Sequence, residues 1–120
     1  MTSDEFRKTA LEIPMSVERS HMNHPDFRLA GKIFASLSVP DKRWGMVKLT
    51  PEQQRAFIEN AAKIFKPASG AWGRQGYTNV YLPSAKAQIV RAALDFAAKN
   101  VANKKQRKTP NVQRRTSNPK

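Results

Sequence analysis

The sequence predicts a protein of the α+β class, with a small antiparallel β-sheet packed by helices. Two observations lead to this prediction. Consecutive segments in the first half of the chain alternate in the manner of β-strands and are separated by turn residues. Segments with apolar residues at helical spacing stand on either side of them. The predicted order is α-β-β-β-α-β-α, with one domain over residues 1–103 and a disordered tail over residues 104–120.

The first helix is predicted over residues 3–13. Thr2 and Glu5 stand at the spacing of a capping box, in which the hydroxyl and the carboxylate each accept a free backbone N–H. Apolar residues then recur at helical spacing, and Pro14 ends the helix. This helix is therefore expected to pack one face against the sheet.

Three strands follow as a meander. Residues 26–39 predict two strands on either side of Gly31, which can take the positive φ of a hairpin turn. Residues 40–43 make the next turn, and residues 44–49 form the third strand. One face of the second strand is expected to carry Ile33, Ala35 and Leu37, and the other Phe34, Ser36 and Ser38.

A second helix is predicted over residues 51–62. Thr50 suits the N-cap, Pro51 the first turn, and Gln53 completes a capping box. The buried stripe of this helix is expected to include Phe57, Ala61 and Ile64, with Ile58 and Phe65 beside them.

The remaining elements are one strand and the longest helix. Residues 68–71 read as a loop, and residues 72–82 as a strand in which Gly73 and Gly76 supply bends or bulges. A helix over residues 84–102 presents an apolar stripe to the sheet.

Charge is the dominant compositional feature. The chain has 22 Lys and Arg against 9 Asp and Glu, a formal net charge of +13. Seven basic residues and no acidic residue lie from Lys104 to the end, which leaves +6 on residues 1–103. Such an excess attracts polyanions.

Cellular location is predicted from what the sequence lacks. The absence of cysteine excludes disulfides and thiolate zinc sites, and it suits a reducing cytosol. The N-terminus has no cationic leader followed by an apolar run, and no segment is apolar enough to span a bilayer. We expect a soluble, cytoplasmic protein with no membrane partner.

Candidate catalytic and metal-binding residues are few. His21 and His24 with Asp26 could supply metal ligands, but a polar loop before a strand fits this segment better. Ser20 and His21 lack an orienting third group, and neighbours on an extended segment point apart. The glycine-rich run 70–76 lacks the lysine and hydroxyl of a phosphate-binding loop. We expect no metal, no cofactor and no enzymatic activity.

Basic residues lie beside the predicted turns, where they can reach the phosphates of a nucleic acid. Taken singly, each is more often a solvated turn charge, but such residues recur at three loops. The predicted DNA-binding residues of the domain are Lys32, Lys42, Arg43, Lys48 and Arg74. The tail adds Lys104, Lys105, Arg107, Lys108, Arg114 and Arg115. The two tryptophans are interpreted as core or rim packing in preference to base-stacking platforms.

Several motifs resemble the MmcQ/YjbR-like bacterial proteins. They are the runs 24–28 (HPDFR), 31–35 (GKIFA), 45–53 (GMVKLTPEQ) and 70–74 (GAWGR), followed by Gly76 and Thr78. The likeness covers about residues 5–100. It implies a fold related to the frataxin (CyaY-like) and secretion-chaperone-like folds, and a DNA-binding role in which two hairpin wings approach the duplex. On this chain the wings would lie among Gly31 and Lys32, Lys42 and Arg43, and residues 74–76.

The leading functional hypothesis is a monomeric, non-enzymatic protein that binds nucleic acid, in particular duplex DNA, with weak sequence preference. The alternative is an adaptor that binds an acidic protein. A contiguous basic surface on the folded domain would favour the first, and a large apolar patch the second. Iron binding is not expected, because the first helix has only Asp4, Glu5 and Glu12 and lacks an acidic ridge.

Overall fold

The computed structural model describes residues 1–107, with side chains through residue 102. Four helices and six strands make up the fold. They are α1 (Ser3–Leu11), β1 (Val17–His21), β2 (His24–Leu29), β3 (Lys32–Leu37), β4 (Trp44–Lys48), α2 (Pro51–Asn60), β5 (Phe65–Pro67), α3 (Gly70–Arg74), β6 (Tyr77–Tyr81) and α4 (Ala87–Arg107). A turn of 3₁₀ helix (Leu82–Ser84) joins β6 to the segment before α4.

The six strands form one antiparallel sheet in the order β1-β2-β3-β4-β6-β5. The helices α1, α2 and α4 pack against one face of it. Their apolar side chains meet those of the sheet in a single core, in which Phe6, Phe27, Phe34, Val47, Val80 and Leu94 are fully buried. Within the described residues, α1, α2 and α4 leave the opposite face of the sheet open, and this face carries the candidate site.

The predicted α+β class is confirmed, and so are the local signals at the helix starts. Thr2 and Glu5 form a capping box at α1, and Thr50 and Gln53 form one at α2. The β2–β3 turn has positive φ at Gly31, as predicted, and also at the preceding residue Ala30, as a type I′ turn requires.

Two strands are absent from the predicted element order. The outer strand β1 was missed because its five residues are all exposed, so that no apolar alternation marks it. Its partner is β2, through a tight turn at Met22 and Asn23, both at positive φ, where the sequence predicted a polar loop. The other missed strand, β5, has only three residues; its first, Phe65, was assigned to the stripe of the second helix.

The strand predicted over residues 72–82 is wrong in its first part. The short helix α3 occupies Gly70–Arg74, and β6 begins at Tyr77. Gly73 and Gly76 allow close contacts with neighbouring backbone, and they do not form bulges in a strand. The three helices that the sequence predicted also differ from the prediction at their ends: α1 stops at Leu11, α2 stops at Asn60, and α4 begins at Ala87.

A bulge changes which residues of β3 face the core. The register passes from Phe27 opposite Ala35 to Arg28 opposite Ile33, which leaves Phe34 as the extra residue. Both Phe34 and Ala35 are therefore buried, and Ile33 lies on the open face instead of sharing a face with Ala35, as the sequence predicted.

The last helix continues to Arg107, five residues past its predicted end. Of the predicted tail, residues 108–120 lie outside the described part of the chain. Within that part, none of the helices is both long and apolar enough to cross a membrane.

Candidate functional site

A groove runs across the open face of the sheet. Its floor follows one row of register partners, Asp26, Ser36, Met46, Asn79 and Lys66, which belong to β2, β3, β4, β6 and β5. Four strand intervals separate the ends of this row, about 19 Å. The groove has two adjoining parts of about 610 and 510 Å³, which share several lining residues, Trp72 and Met46 among them. Each part has the size of a ligand site.

An ion pair is built into one end of the groove. Asp26 is 2% exposed, and its two carboxylate oxygens accept hydrogen bonds from Nε and Nη2 of Arg28 at 2.8 and 3.1 Å. These hydrogen bonds raise the pKa of Arg28 above its usual value. The bidentate contact fixes the guanidinium plane, and the remaining N–H groups of Arg28 can still face the groove.

An aromatic and cationic cluster forms the wall of the groove. The rings of Trp72 and Tyr77 meet edge to face, with centroids 5.0 Å apart. On β4, Nζ of Lys48 lies 5.5 Å from the centroid of the Tyr77 ring. Trp72 is 60% exposed, so much of the indole surface is available to a ligand.

Buried contacts hold Trp72 in place. The side chain of Gln54 on α2 is 8% exposed, and its Nε2 lies 3.0–3.1 Å from the carbonyl oxygens of Gly73 and Tyr77 and from Oγ1 of Thr78. A Cβ on Gly73 would lie 1.9 Å from the carbonyl oxygen of Ala68, so only glycine fits there. The segment that carries Trp72 is thus fixed from the core side of the molecule.

Replacing Gln54 by alanine is expected to destabilise the protein by about 1–3 kcal/mol, because buried acceptors lose their donor. Urea denaturation measures the loss. Gln88 is exposed on α4, and Q88A is the matched control, expected to change stability by less than about 0.5 kcal/mol. Equal effects of the two substitutions would show that Gln54 does not anchor the segment.

Three of the five predicted domain residues lie at one end of the sheet. Lys32 begins β3 and Lys48 ends β4, and because the two strands are antiparallel, both positions lie at the same end of the sheet. Arg74 ends α3, just before β6, whose first residue Tyr77 pairs with Lys48. Lys32 and Lys48 also line the groove.

The other two predicted residues, Lys42 and Arg43, lie at the opposite end of the strands in the loop between β3 and β4. The four residue steps from Lys48 to Trp44 correspond to about 13 Å. Arg43 is bound to Asp41 through Nε and Nη2, at 3.1 and 2.9 Å. These hydrogen bonds lower the pKa of Asp41 and raise that of Arg43. The structure therefore separates the predicted residues into two groups.

The candidate metal ligands His21, His24 and Asp26 lie on β1 and β2. His21 and His24 are cross-strand partners, and Nδ1 of His24 is buried without a hydrogen-bond partner in the described part of the chain. Among the side chains that the structure describes, no group of three His, Asp or Glu could hold a metal ion.

Sequence reasoning missed Arg28 and Lys66 as groove residues, and it favoured packing over stacking for Trp72. No local signal marks Lys66, because the strand that carries it has three residues. A local signal did exist for Arg28. It lies two residues after Asp26 in a predicted strand, and this spacing places both side chains on one face of the sheet.

The described residues form a small α+β domain in which α1, α2 and α4 cover one face of the sheet and the groove runs across the other. Neither a family model nor a curated protein matches the sequence. The structure is similar to the crystal structure of DR2400 from Deinococcus radiodurans, a protein with a DUF419 domain. The TM-score is 0.72 and the identity 17%, over 87% of this chain and 80% of that chain. This likeness shows the fold, and DUF419 is related to the MmcQ/YjbR-like family.

Proposed function

We propose that this chain is a non-enzymatic DNA-binding protein of the MmcQ/YjbR-like kind. The observation that supports it best is the charge balance of the groove. Four cations line it: Arg28, Lys32, Lys48 and Lys66. Among its described lining residues Asp26 is the only acid, and that acid is already bound to Arg28. A surface of this kind attracts phosphates.

The two groups of basic residues have unequal roles in this proposal. Lys48 and Arg74, beside the groove, make the main phosphate contacts. Lys42 and Arg43 form a second contact at the other end of the sheet, weakened at Arg43 by the bound Asp41. Phosphate contacts fix position without reading sequence, so sequence preference is weak.

The basic tail adds affinity without specificity. Each phosphate that it neutralises releases counterions, and the apparent binding constant therefore falls steeply as salt rises. A long cationic segment also accelerates encounter with the polyanion.

The test is the affinity of the full-length protein for a DNA duplex as a function of salt. A variant with Lys104, Lys105, Arg107, Lys108, Arg114, Arg115 and Lys120 replaced by glutamine removes the tail charge and keeps chain length and helix propensity. This variant is expected to bind still, with a log–log slope of several units. Adding K48A and R74A should then lower the slope by about 2.

Matched controls come from the helix side of the protein. Lys86 and Lys99 are exposed and do not line the groove, and the pair K86A/K99A removes the same charge. A slope lowered equally by both pairs would show that only net charge matters. If all binding is lost with the tail charge, the domain does not bind DNA, and the alternative of an acidic protein partner is favoured.

A further inference from the structure

We infer that the groove of the open sheet face binds an unpaired stretch of nucleic acid, with a base stacked on Trp72 and phosphates on the surrounding cations. This inference rests on the proposed function and names the form of nucleic acid that the folded domain prefers. It differs from duplex binding by wings, which needs phosphate contacts alone.

The composition of the groove calls for exposed bases. Val39, Pro40 and Met46 give the groove an apolar lining between the cations. A duplex keeps its base faces stacked inside and presents phosphates outside, so it would leave this apolar surface uncovered. A single strand presents both flat apolar bases and phosphates, and proteins that bind it combine a cationic groove with aromatic side chains.

Trp72 has the properties of a stacking platform. A tryptophan that is 60% exposed covers no core, yet the backbone next to this one is fixed by the buried Gln54 and by the close backbone approach at Gly73. Its edge-to-face contact with Tyr77 sets the orientation of the indole. A rigid, exposed ring can accept a base without losing conformational freedom on binding.

The cations stand around this platform. Lys48 is next to the Tyr77 ring, Arg28 is fixed by Asp26, and Lys66 lies on the far side of the floor, opposite Asn79. A nucleic-acid strand that crosses the groove from β2 to β5 would pass a cation at each end of its path and Trp72 between them.

Polar floor residues can meet the edges of the bases. Ser36 and Asn79 flank Met46 in the register row and line the groove. A hydroxyl and an amide supply both donors and acceptors, so they can bond to any base. Such contacts give affinity with modest sequence preference.

Charge argues against two other occupants of the groove. The basic C-terminal segment of this chain carries seven cations from Lys104 onward and no acid, and a groove lined by cations repels it. A second copy carries the same net charge of +13. An anionic occupant fits, and the apolar lining selects one with flat apolar groups.

The test compares full-length protein and variants for binding to an oligothymidylate of about 15 nucleotides, within the site sizes of single-strand binders, and to a duplex of equal length. W72A is expected to weaken binding of the oligothymidylate by about 5- to 150-fold. W72F should lose less, because a ring remains. F96A is the control, because Phe96 is a partly exposed aromatic on α4 packed against Phe57, outside the groove.

A second measurement reports the stacking directly. W44F leaves Trp72 as the sole tryptophan, and its fluorescence should be quenched in step with oligothymidylate binding. A polyglutamate peptide of the same length should compete only weakly with the oligothymidylate. If it competed as well as unlabelled oligothymidylate, the groove would recognise negative charge alone, and the inference would be overturned. The inference would also be overturned if oligothymidylate bound without quenching the fluorescence, or if W72A bound it with unchanged affinity. In either case, duplex binding with a salt slope that depends on Lys48 and Arg74 would leave the proposed function standing. Binding to neither nucleic acid would overturn the proposed function as well.

Discussion

Replacing Gly76 by alanine is expected to destabilise the protein by about 3 kcal/mol or more. Gly76 has φ +108°, a conformation that residues with a Cβ rarely adopt. A Cβ built there would also lie 2.0 Å from the carbonyl oxygen of Leu49. That oxygen is backbone and cannot rotate aside, so α3 and the end of β4 would have to separate. Urea or thermal denaturation, with soluble yield recorded, measures the loss.

Gly70 is the matched control, because it lies in the same segment and also has positive φ, +68°. Nothing lies within 4 Å of a Cβ placed on it. G70A therefore has the backbone strain without the collision, and a loss of about 1–2 kcal/mol is expected. Similar losses for the two variants would mean that the approach of Gly76 to Leu49 is unimportant.

Replacing Phe6 by alanine is expected to destabilise the protein by about 3–5 kcal/mol. Phe6 is the main anchor of α1 on the sheet: it is fully buried, and its ring centroid lies 6.1 Å from that of Phe27. Its removal leaves a cavity between α1 and β4. Chemical denaturation measures the change, and Leu11, which is 41% exposed on the same helix, supplies the control L11A with a much smaller loss.

A double-mutant cycle tests the contact beneath Phe6. A Cβ on Gly45 would lie 2.9 Å from Cε2 of the Phe6 ring, so G45A is expected to destabilise the wild-type protein. In the F6A background the same methyl group enters the cavity, and the double variant should be less destabilised than the sum of the single variants. Additive losses of stability would mean that the Phe6 ring does not pack against Gly45.

The elements that the sequence predicted well are those with local causes. A capping box needs only residues three apart, as at Thr50 and Gln53, and a type I′ turn is favoured by a glycine such as Gly31. The α+β class followed from such signals, because strands and helices each carry their own periodicity.

The elements that it missed are held by distant contacts. The helix α3 is five residues long, and its position depends on the side chain of Gln54, about 20 residues before it, and on the backbone of Ala68. Asn23, in the turn after β1, is a residue that tolerates positive φ, but β1 itself has no apolar alternation to support a strand.

The groove could not be predicted for the same reason. Its floor joins residues from five strands, and the order of those strands is set by tertiary packing. The bulge at Phe34 then decides that Ile33 faces the groove. Sequence reasoning found Lys32 and Lys48 by their charge, but it had no means of placing them beside Trp72.

The two outer strands of the sheet bear on how the protein behaves when many copies crowd together. Unpaired strand edges invite the addition of a strand from another molecule. Here β1 carries the charged residues Glu18 and Arg19, and β5 has three residues and ends at Pro67, whose nitrogen has no hydrogen to donate. Both edges are therefore poor templates for aggregation, and copies concentrated along one polyanion are expected to remain separate folded domains.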